Sequence, residues 1–260
     1  MFEMLAALLD QGEDWALAGV LVFARLGAVI SLLPGLGETF IPARLRLMAA
    51  LTLTVVALPA IDISALPAAM SPPVFAGYLL TEAAIGLTIG IATRLIVHAL
   101  QLAGTIAAQT TALAQVAGPG VAPDPMPAIG NTLMIAGVTL AMVMDVHVKL
   151  VVAVVSSYRR LGFGTLLDGA TLGAWGLDQA TAAFNLGFTL AAPFVIAALL
   201  YNLALGAINR AMPQLMVAFV GAPAITALTL LIMLLAAPLI LTVWIEHLDS
   251  VLAAPLEFRR

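Results

Sequence analysis

Hydrophobic side chains along this chain gather into six long stretches separated by polar or proline- and glycine-rich connections. The stretches are residues 15–33, 45–61, 74–103, 132–155, 180–208 and 215–247. Each has at least about the length of helix that crosses a hydrocarbon core, roughly 20 residues, and the third is too long for one untilted span. Only helices and closed barrels satisfy the backbone in lipid, and these stretches lack the alternation of barrel strands. The pattern therefore predicts an all-α membrane protein with about six long hydrophobic helices, some of them kinked hairpins.

Composition strengthens the membrane assignment and argues against nucleic acid as a partner. Hydrophobic residues make up 63% of the 260 residues and charged residues 9%, with a mean hydropathy of +1.12. A soluble domain carries about 25% charged residues, so the surroundings of this chain are lipid or a large protein assembly. The net charge is −4 and no basic run exceeds two residues, which leaves no footprint for nucleic acid. The chain has no cysteine, which excludes disulfides and thiolate chemistry.

The basic residues do not orient the chain in a membrane. If all six stretches cross, one side receives Arg44, Arg46 and Arg210, and the other receives Arg159, Arg160, Arg259 and Arg260. Neither side then has the excess of lysine and arginine that sets topology. One physical explanation is that some segments are hairpins that do not span, and that partner subunits satisfy them instead of lipid.

One face of the third stretch carries a polar seam. It consists of Arg94, His98, Gln101, Thr105 and Gln109, at spacings of 4, 3, 4 and 4. A rotation of about 100° per residue places them on one side of a helix. Each side chain is costly towards lipid, so this face meets protein or water. The seam predicts a channel wall or a subunit interface, with packing inside the chain's own bundle as the alternative.

Small residues on the same stretch indicate close helix packing. Gly86 and Gly90 form a GxxxG pair, a spacing that lets two helix backbones approach each other. Glu82 lies one turn before Gly86. It is not one turn from Arg94, so it needs a partner from elsewhere.

Polar groups also occur in the fourth and fifth stretches. Asp145 and Lys149 are four residues apart, and we expect a local ion pair there in preference to ion coupling. Asn202, Gly206 and Asn209 share a helix face, which suits hydrogen bonding between helices.

Enzyme motifs are absent from the sequence, which contains no HExxH, GxSxG or GxxxxGKS/T. The three histidines, His98, His147 and His247, are too far apart to suggest a metal site by spacing. We therefore predict no catalytic, metal or cofactor-binding residues and no cofactor.

Three groups of residues match the motifs of a known family. The first is Phe23-Ala24-Arg25-Leu26-Gly27, followed by Pro34, Glu38, Pro42, Arg44 and Arg46. The second is Glu82, Gly86, Gly90 and Ala103-Gly104, followed by Gln109 and Asp124-Pro125. The third runs from Asn202 through Gly206 and Arg210 to Pro213-Gln214. In order and spacing they resemble the FliR/SctT family of type III secretion export-gate subunits, and the opening motif favours its flagellar branch, FliR.

The resemblance implies a non-enzymatic subunit of the flagellar export gate. Such subunits assemble with FliP and FliQ, contact FlhB and FlhA, and build a helical, funnel-shaped core that passes unfolded flagellar proteins. The chain would be a single export-gate domain, residues 1–260, with about 1–190 FliP-like and about 191–260 a FliQ-like helical hairpin. It would lie in the bacterial inner membrane, in the flagellar basal body.

The same resemblance assigns a role to the loop after the third stretch, which in this family forms part of the plug that closes the pore. The matching residues here are 112–126. The predicted gate residues are Val116, Gly118, Pro119, Gly120, Pro123, Asp124 and Pro125. Irregular backbone at membrane depth must be buried in protein or line an aqueous cavity. By composition alone, an exposed connector is the alternative.

Two other functions compete with an export-gate subunit. A self-sufficient permease or small-molecule transporter would also contain broken helices, as expected here at Pro193, Pro223 and Pro238. An intramembrane enzyme has no motif to support it. Size-exclusion of gently solubilised protein distinguishes the first two, because a permease behaves alone or as a homo-oligomer and a gate subunit requires other chains.

Overall fold

The computed structural model describes residues 2–38, 41–67, 70–110, 128–212 and 217–256, and for 2–11, 209 and 217–223 it describes the backbone alone. These ranges contain seven α-helices and a 3₁₀ turn, Leu58–Ala60, and no strand. The helices are α1 (Phe2–Leu32), α2 (Ala43–Ala57), α3 (Pro72–Thr110), α4 (Ala128–Val143), α5 (Val146–Arg160), α6 (Gly169–Ala211) and α7 (Val217–Ala253).

The helix lengths confirm the prediction of an all-α membrane protein. In the described chain, five helices are long and apolar enough to cross a membrane: α1, α2 with its 3₁₀ turn, α3, α6 and α7. The pair α4 and α5 supplies a sixth span if the two cross together. Helix α3 alone is 39 residues long and α6 is 43, so both exceed the length of a single untilted crossing.

The fourth stretch breaks where the sequence predicted a continuous helix. Helices α4 and α5 meet at Met144 and Asp145 with a bend of 69°. Asp145 has φ 58 and ψ 38, a left-handed conformation that no continuous right-handed helix contains. Hydropathy does not mark this turn, because the immediate neighbours of Asp145, Met144 and Val146, are apolar.

At three prolines the sequence predicted helix breaks that the structure does not contain. Helix α6 continues through Pro193, and α7 continues through Pro223 and Pro238, so the breaks expected there do not occur. In an apolar helix, neighbouring polar groups can satisfy the carbonyl that proline leaves free. The start of α6 is capped by Asp168, whose carboxylate accepts hydrogen bonds from the Thr171 N–H and hydroxyl, both at 2.9 Å. Those two bonds lower the pKa of Asp168.

The chain divides into two compact units. Unit 1 comprises Met1–Arg94, Ala141–Gln179 and Leu248–Arg260, and its fully buried core includes Leu21, Leu26, Ile85 and Ile89. Unit 2 comprises Leu95–Leu140 and Ala180–His247. The predicted division at about residue 190, into FliP-like and FliQ-like parts, stays a prediction.

The core of unit 2 is built around one tryptophan. Trp244 is fully buried, and its indole N–H donates to the Ile96 carbonyl oxygen at 2.8 Å. A side chain at Gly137 would overlap Leu100 and approach the Trp244 ring. Gly104 and Gly130 likewise bring the backbones of α3 and α4 into contact, since a Cβ on Gly104 would overlap Gly130.

In unit 1, the GxxxG pair of α3 packs directly against α1, as predicted. A Cβ atom on Gly86 would overlap the Arg25 carbonyl oxygen. A Cβ atom on Gly90 would lie 3.0 Å from the Cβ of Leu32, tighter than ordinary contact. The two helices therefore touch along a face that also carries Glu82, one turn before Gly86.

Candidate functional site

A salt bridge between α1 and α3 lies at the centre of unit 1. The Arg25 guanidinium binds the Glu82 carboxylate through both oxygens, at 2.7 and 3.1 Å. Both side chains are fully buried. This two-pronged geometry is the strongest form of charge-assisted hydrogen bond available to a protein. It supplies the partner that the sequence left open for Glu82.

Helix α5 and the turn after it complete the hydrogen bonding of the cluster. Arg25 also donates to the Ser157 hydroxyl at 2.9 Å and to the Leu161 carbonyl at 3.1 Å. Glu82 accepts from the Tyr158 hydroxyl at 2.8 Å and from the Gly164 N–H at 3.2 Å. Every charged oxygen and each guanidinium nitrogen thus has a partner, which is the condition for a buried ion pair to be tolerated.

Two local features hold this part of α5 in place. The Arg25 guanidinium lies 3.6 Å from the centroid of the Tyr158 ring, so the same tyrosine provides a cation–π contact and a hydroxyl donor. Gly164 has φ +71, and a Cβ there would lie 2.6 Å from the Tyr78 ring. Only glycine suits that position, and it turns the Gly164 N–H towards Glu82. The cluster joins three segments that are distant in sequence.

A second ion pair of unit 1 uses another family-motif residue. Arg94 donates to Glu38 at 2.6 Å, and Glu38 is buried although Arg94 is 26% exposed. Glu38 lies in the turn that follows α1, where Gly35 has φ +90 and packs against Met142. The partner of Arg94, the first member of the polar seam, is thus in this chain.

The other four seam residues differ in how far the chain satisfies them. His98 shares a hydrogen bond with Gln101, whose amide approaches the Met134 sulfur at 2.6 Å. The Thr105 hydroxyl bonds to the Gln101 carbonyl of its own helix at 2.8 Å. His98 and Gln109 are exposed. A channel wall or subunit interface along this face stays a prediction. His98 and Gln109 are the seam residues left exposed for it.

The predicted ion pair between Asp145 and Lys149 does not form, so that prediction is wrong. Lys149 binds both oxygens of Asp249 instead, at 2.7 and 2.8 Å, and so joins α5 to the last turns of α7. Asp145 is exposed at the left-handed break before α5. The spacing rule assumed one continuous helix, and the break removes that assumption.

The remaining family-motif residues occupy helix ends and exposed faces. Pro34 is buried just after α1, and Pro42 precedes α2 with Arg44 and Arg46 in the first turn. Asn202, Gly206 and Arg210 are exposed near the end of α6. Pro213 and Gln214, like the whole predicted plug loop 112–126, lie outside the described residues.

Sequence reasoning missed four residues that unit 1 and unit 2 depend on. They are Ser157, Tyr158, Trp244 and Asp249. A signal existed for two of them, because a lone tyrosine or tryptophan inside an apolar stretch usually carries its polar atom to a buried partner. Nothing in the local pattern marks Ser157 or Asp249.

No group of three or more histidine, aspartate or glutamate side chains that could hold a metal occurs in the described part of the chain. The buried cluster instead consists of fully paired groups that tie α1, α3 and α5 together. Long apolar helices braced by buried ion pairs define a polytopic, all-α membrane protein.

Comparison with known proteins gives the particular family. A family model described as "Bacterial export proteins, family 1" matches residues 16–251. The flagellar biosynthetic protein FliR of Caulobacter vibrioides is 33% identical over 89% of this chain and 93% of its own length. FliR of Aquifex aeolicus is 28% identical over 92% of each chain, and FliR of Bacillus subtilis is 26% identical over 87% and 88%. The chain belongs to the FliR family of flagellar export proteins.

Proposed function

We propose that this chain is a structural and channel subunit of the flagellar type III protein export gate. With FliP and FliQ it forms the pore through which unfolded flagellar proteins leave the cell, and it contacts FlhB- and FlhA-like subunits. It acts in the inner membrane, within the flagellar basal body, and carries out no catalysis. Family membership supports the role in export, and the end of α6 supports assembly with other subunits.

The observation that carries the proposal is a polar face on an exposed membrane helix. Asn202, Gly206 and Arg210 follow one another at four-residue intervals, so they share one side of α6. All three are exposed, and nothing lies within 4 Å of the position that a Gly206 Cβ would take. Within the described residues, the side chains of Asn202 and Arg210 have no hydrogen-bond partner.

Contact of that polar face with lipid is energetically unfavourable. An amide or guanidinium that is unsatisfied in hydrocarbon costs several kcal/mol, so such groups face protein or water. A small residue between them allows a second helix to approach closely and to accept their hydrogen bonds. Only 17% of the apolar window in each of α6 and α7 is buried, which leaves a large surface for other subunits.

The loop at residues 112–126 is part of the proposal as the plug of the pore. Its sequence is rich in proline and glycine, and the family resemblance carries the assignment. The competing idea of a self-sufficient permease loses the three breaks expected at prolines, because α6 and α7 continue through them, and retains only the bend between α4 and α5.

Gly206→Leu tests the proposal against a matched control on the same helix. Gly173 is also exposed and also has open space within 4 Å of the position that a Cβ would take, but it lies outside the polar face. We expect Gly206→Leu to abolish co-purification with FliP- and FliQ-like subunits and to abolish motility, because the added side chain blocks helix approach. Gly173→Leu should preserve both. Wild-type chain that purifies alone as a monodisperse, cooperatively melting species would overturn the proposal.

A further inference from the structure

A cavity of about 290 Å³ in unit 1 is lined by two exposed charges of opposite sign. Asp62, just after the 3₁₀ turn that follows α2, and Arg159, in the last turn of α5, are its only charged lining residues within the described chain. The rings of Tyr158 and Phe163, with centroids 4.8 Å apart, form an aromatic part of the wall. The volume is close to the lower end of ligand pockets, about 300 Å³. A ligand can therefore reach one anion, one cation and an aromatic surface in the same cavity.

Neither of the two charges has a charged partner. Among the described residues no salt bridge joins Asp62 to Arg159, and neither side chain pairs with a third charged group. Asp62 accepts a hydrogen bond from the Ser64 N–H at 3.0 Å. Hydrogen bonding to the Ser64 side chain and N–H lowers the pKa of Asp62, so its carboxylate is ionised at neutral pH. Two unlike charges that line one cavity without meeting are complementary to a ligand that carries both.

The cavity lies where an apolar part of the chain ends. Residues 47–61 contain no charged side chain, and Asp62 is the first charged residue after them. The segment Ala43–Ala60 has the length and composition of a membrane span. Both Asp62 and the helix end that carries Arg159 therefore correspond to the head-group level of a bilayer, where membrane helices end and aromatic side chains are common.

Charge complementarity favours a lipid head group over a helix of another subunit. A zwitterionic head group carries a phosphate and an ammonium on one small group, so a single molecule satisfies both charges of the cavity. A partner helix would have to present an anion and a cation together at this one level, beyond its own apolar span. A purely anionic head group would be attracted by Arg159 and repelled by Asp62.

We propose that this cavity binds the head group of a zwitterionic phospholipid such as phosphatidylethanolamine. The phosphate accepts hydrogen bonds from the Arg159 guanidinium, and the ammonium, two carbons away, donates to the Asp62 carboxylate. Only the head group enters the cavity, and the acyl chains stay in the bilayer. This inference is independent of the export function, because it uses residues of unit 1 alone.

Native mass spectrometry of the full-length chain, purified with the subunits that accompany it, tests the proposal with phosphatidylethanolamine and phosphatidylglycerol as probes. We expect phosphatidylethanolamine to bind about two- to fivefold more tightly, the gain from one exposed ion pair. Asp62→Asn should remove this preference, since the amide still accepts from Ser64 but no longer attracts an ammonium. Arg159→Gln should weaken both lipids, because both carry the phosphate. Glu13→Gln and Arg160→Gln remove exposed charges of unit 1 that do not line this cavity, and they serve as the controls.

Four results would overturn the assignment. The first is equal binding of the two lipids to the wild type, which needs no variant to fold. The second is an unchanged preference in Asp62→Asn protein, or unchanged affinities in Arg159→Gln protein, that melts like the wild type. The third is loss of a co-purifying subunit from either variant while lipid binding persists, which would make a partner protein the occupant. The fourth is displacement of the lipid by an equal concentration of glycerophosphoethanolamine, which has no acyl chain and would identify a soluble ligand instead.

Discussion

Glu82 accepts four hydrogen bonds although it lies among membrane helices, two from Arg25 and one each from Tyr158 and Gly164. Taking a carboxylate and a guanidinium out of water is expensive, and their mutual attraction offsets that cost only when each lone pair and proton is used. Few other arrangements of α1, α3 and α5 satisfy both charges, so we expect the pair to contribute more to uniqueness of packing than to net stability. A change to either charge should therefore harm the protein more than its contacts alone suggest.

Glu82→Gln should destabilise the assembled protein by about 3–5 kcal/mol, because it leaves Arg25 buried without a counter-charge. Tyr158→Phe, which removes one hydroxyl donor, should cost about 1–3 kcal/mol. Thermal melting of the purified complex and the amount of chain in membranes measure both. Glu13→Gln, at an exposed acid of α1, is the matched control. If Glu82→Gln and Glu13→Gln melt alike, the buried pair has no structural importance.

The sequence identified both members of this pair as motif residues but could not join them. Arg25 and Glu82 are 57 residues apart, and helical periodicity describes one helix at a time. The same reasoning correctly refused to pair Glu82 with Arg94. It failed at Lys149, where a partner 100 residues away, Asp249, displaced the one that spacing suggested.

At the scale of elements, glycine contacts decide which helices meet. The GxxxG pair in α3 was a weak signal in a chain with 21 glycines, yet Gly86 and Gly90 prove to lie against α1. Their lack of side chains brings the Arg25 backbone close enough for its side chain to turn towards Glu82. Helix breaks were harder to predict. Hydropathy does not show that Asp145 has a left-handed backbone, and Pro193 predicted a break in a helix that is continuous.

Gly86→Leu should separate α1 from α3 and disrupt the ion pair at the same time. The atoms that the new side chain would meet are backbone atoms of Arg25, which cannot rotate away, so the cost exceeds the usual 1–3 kcal/mol or so of an overpacked core. Gly77→Leu, on the same helix but in open space, should be close to neutral. Amounts of folded protein in membranes distinguish them, and similar amounts for the two variants would mean that α1 and α3 do not meet at Gly86.

At the scale of the molecule, the hydrophobic pattern predicted the helical class correctly and left the number of crossings open. The structure has the same ambiguity, with five long apolar helices or six if the bent pair α4 and α5 crosses as one. Hydropathy reports how well a segment tolerates lipid and says nothing of whether lipid or another subunit covers it. That distinction depends on what covers surfaces such as the exposed end of α6, which we propose to be other subunits.

Deleting residues 116–122 tests the proposed plug at this scale. A plug blocks a pore by filling it and excluding water, so we expect the gate to assemble and to become leaky, with cells sensitive to small solutes or losing ion gradients. Complex formation and dye or ion flux are the two measurements. Loss of assembly would assign the loop a structural role, and an assembled, exporting, tight gate would make it an exposed connector.

Under the proposed function, the open polar face on α6 affects how cells control the amount of this protein. A copy that has not met its partners carries Asn202 and Arg210 into lipid, and its helices separate more readily than those of an assembled copy. Membrane proteases act on such partly opened chains, and a few kcal/mol of lost stabilisation changes steady-state abundance several-fold. The level of this protein should therefore follow the synthesis of its partner subunits more closely than its own, so that surplus copies are removed without a dedicated regulator.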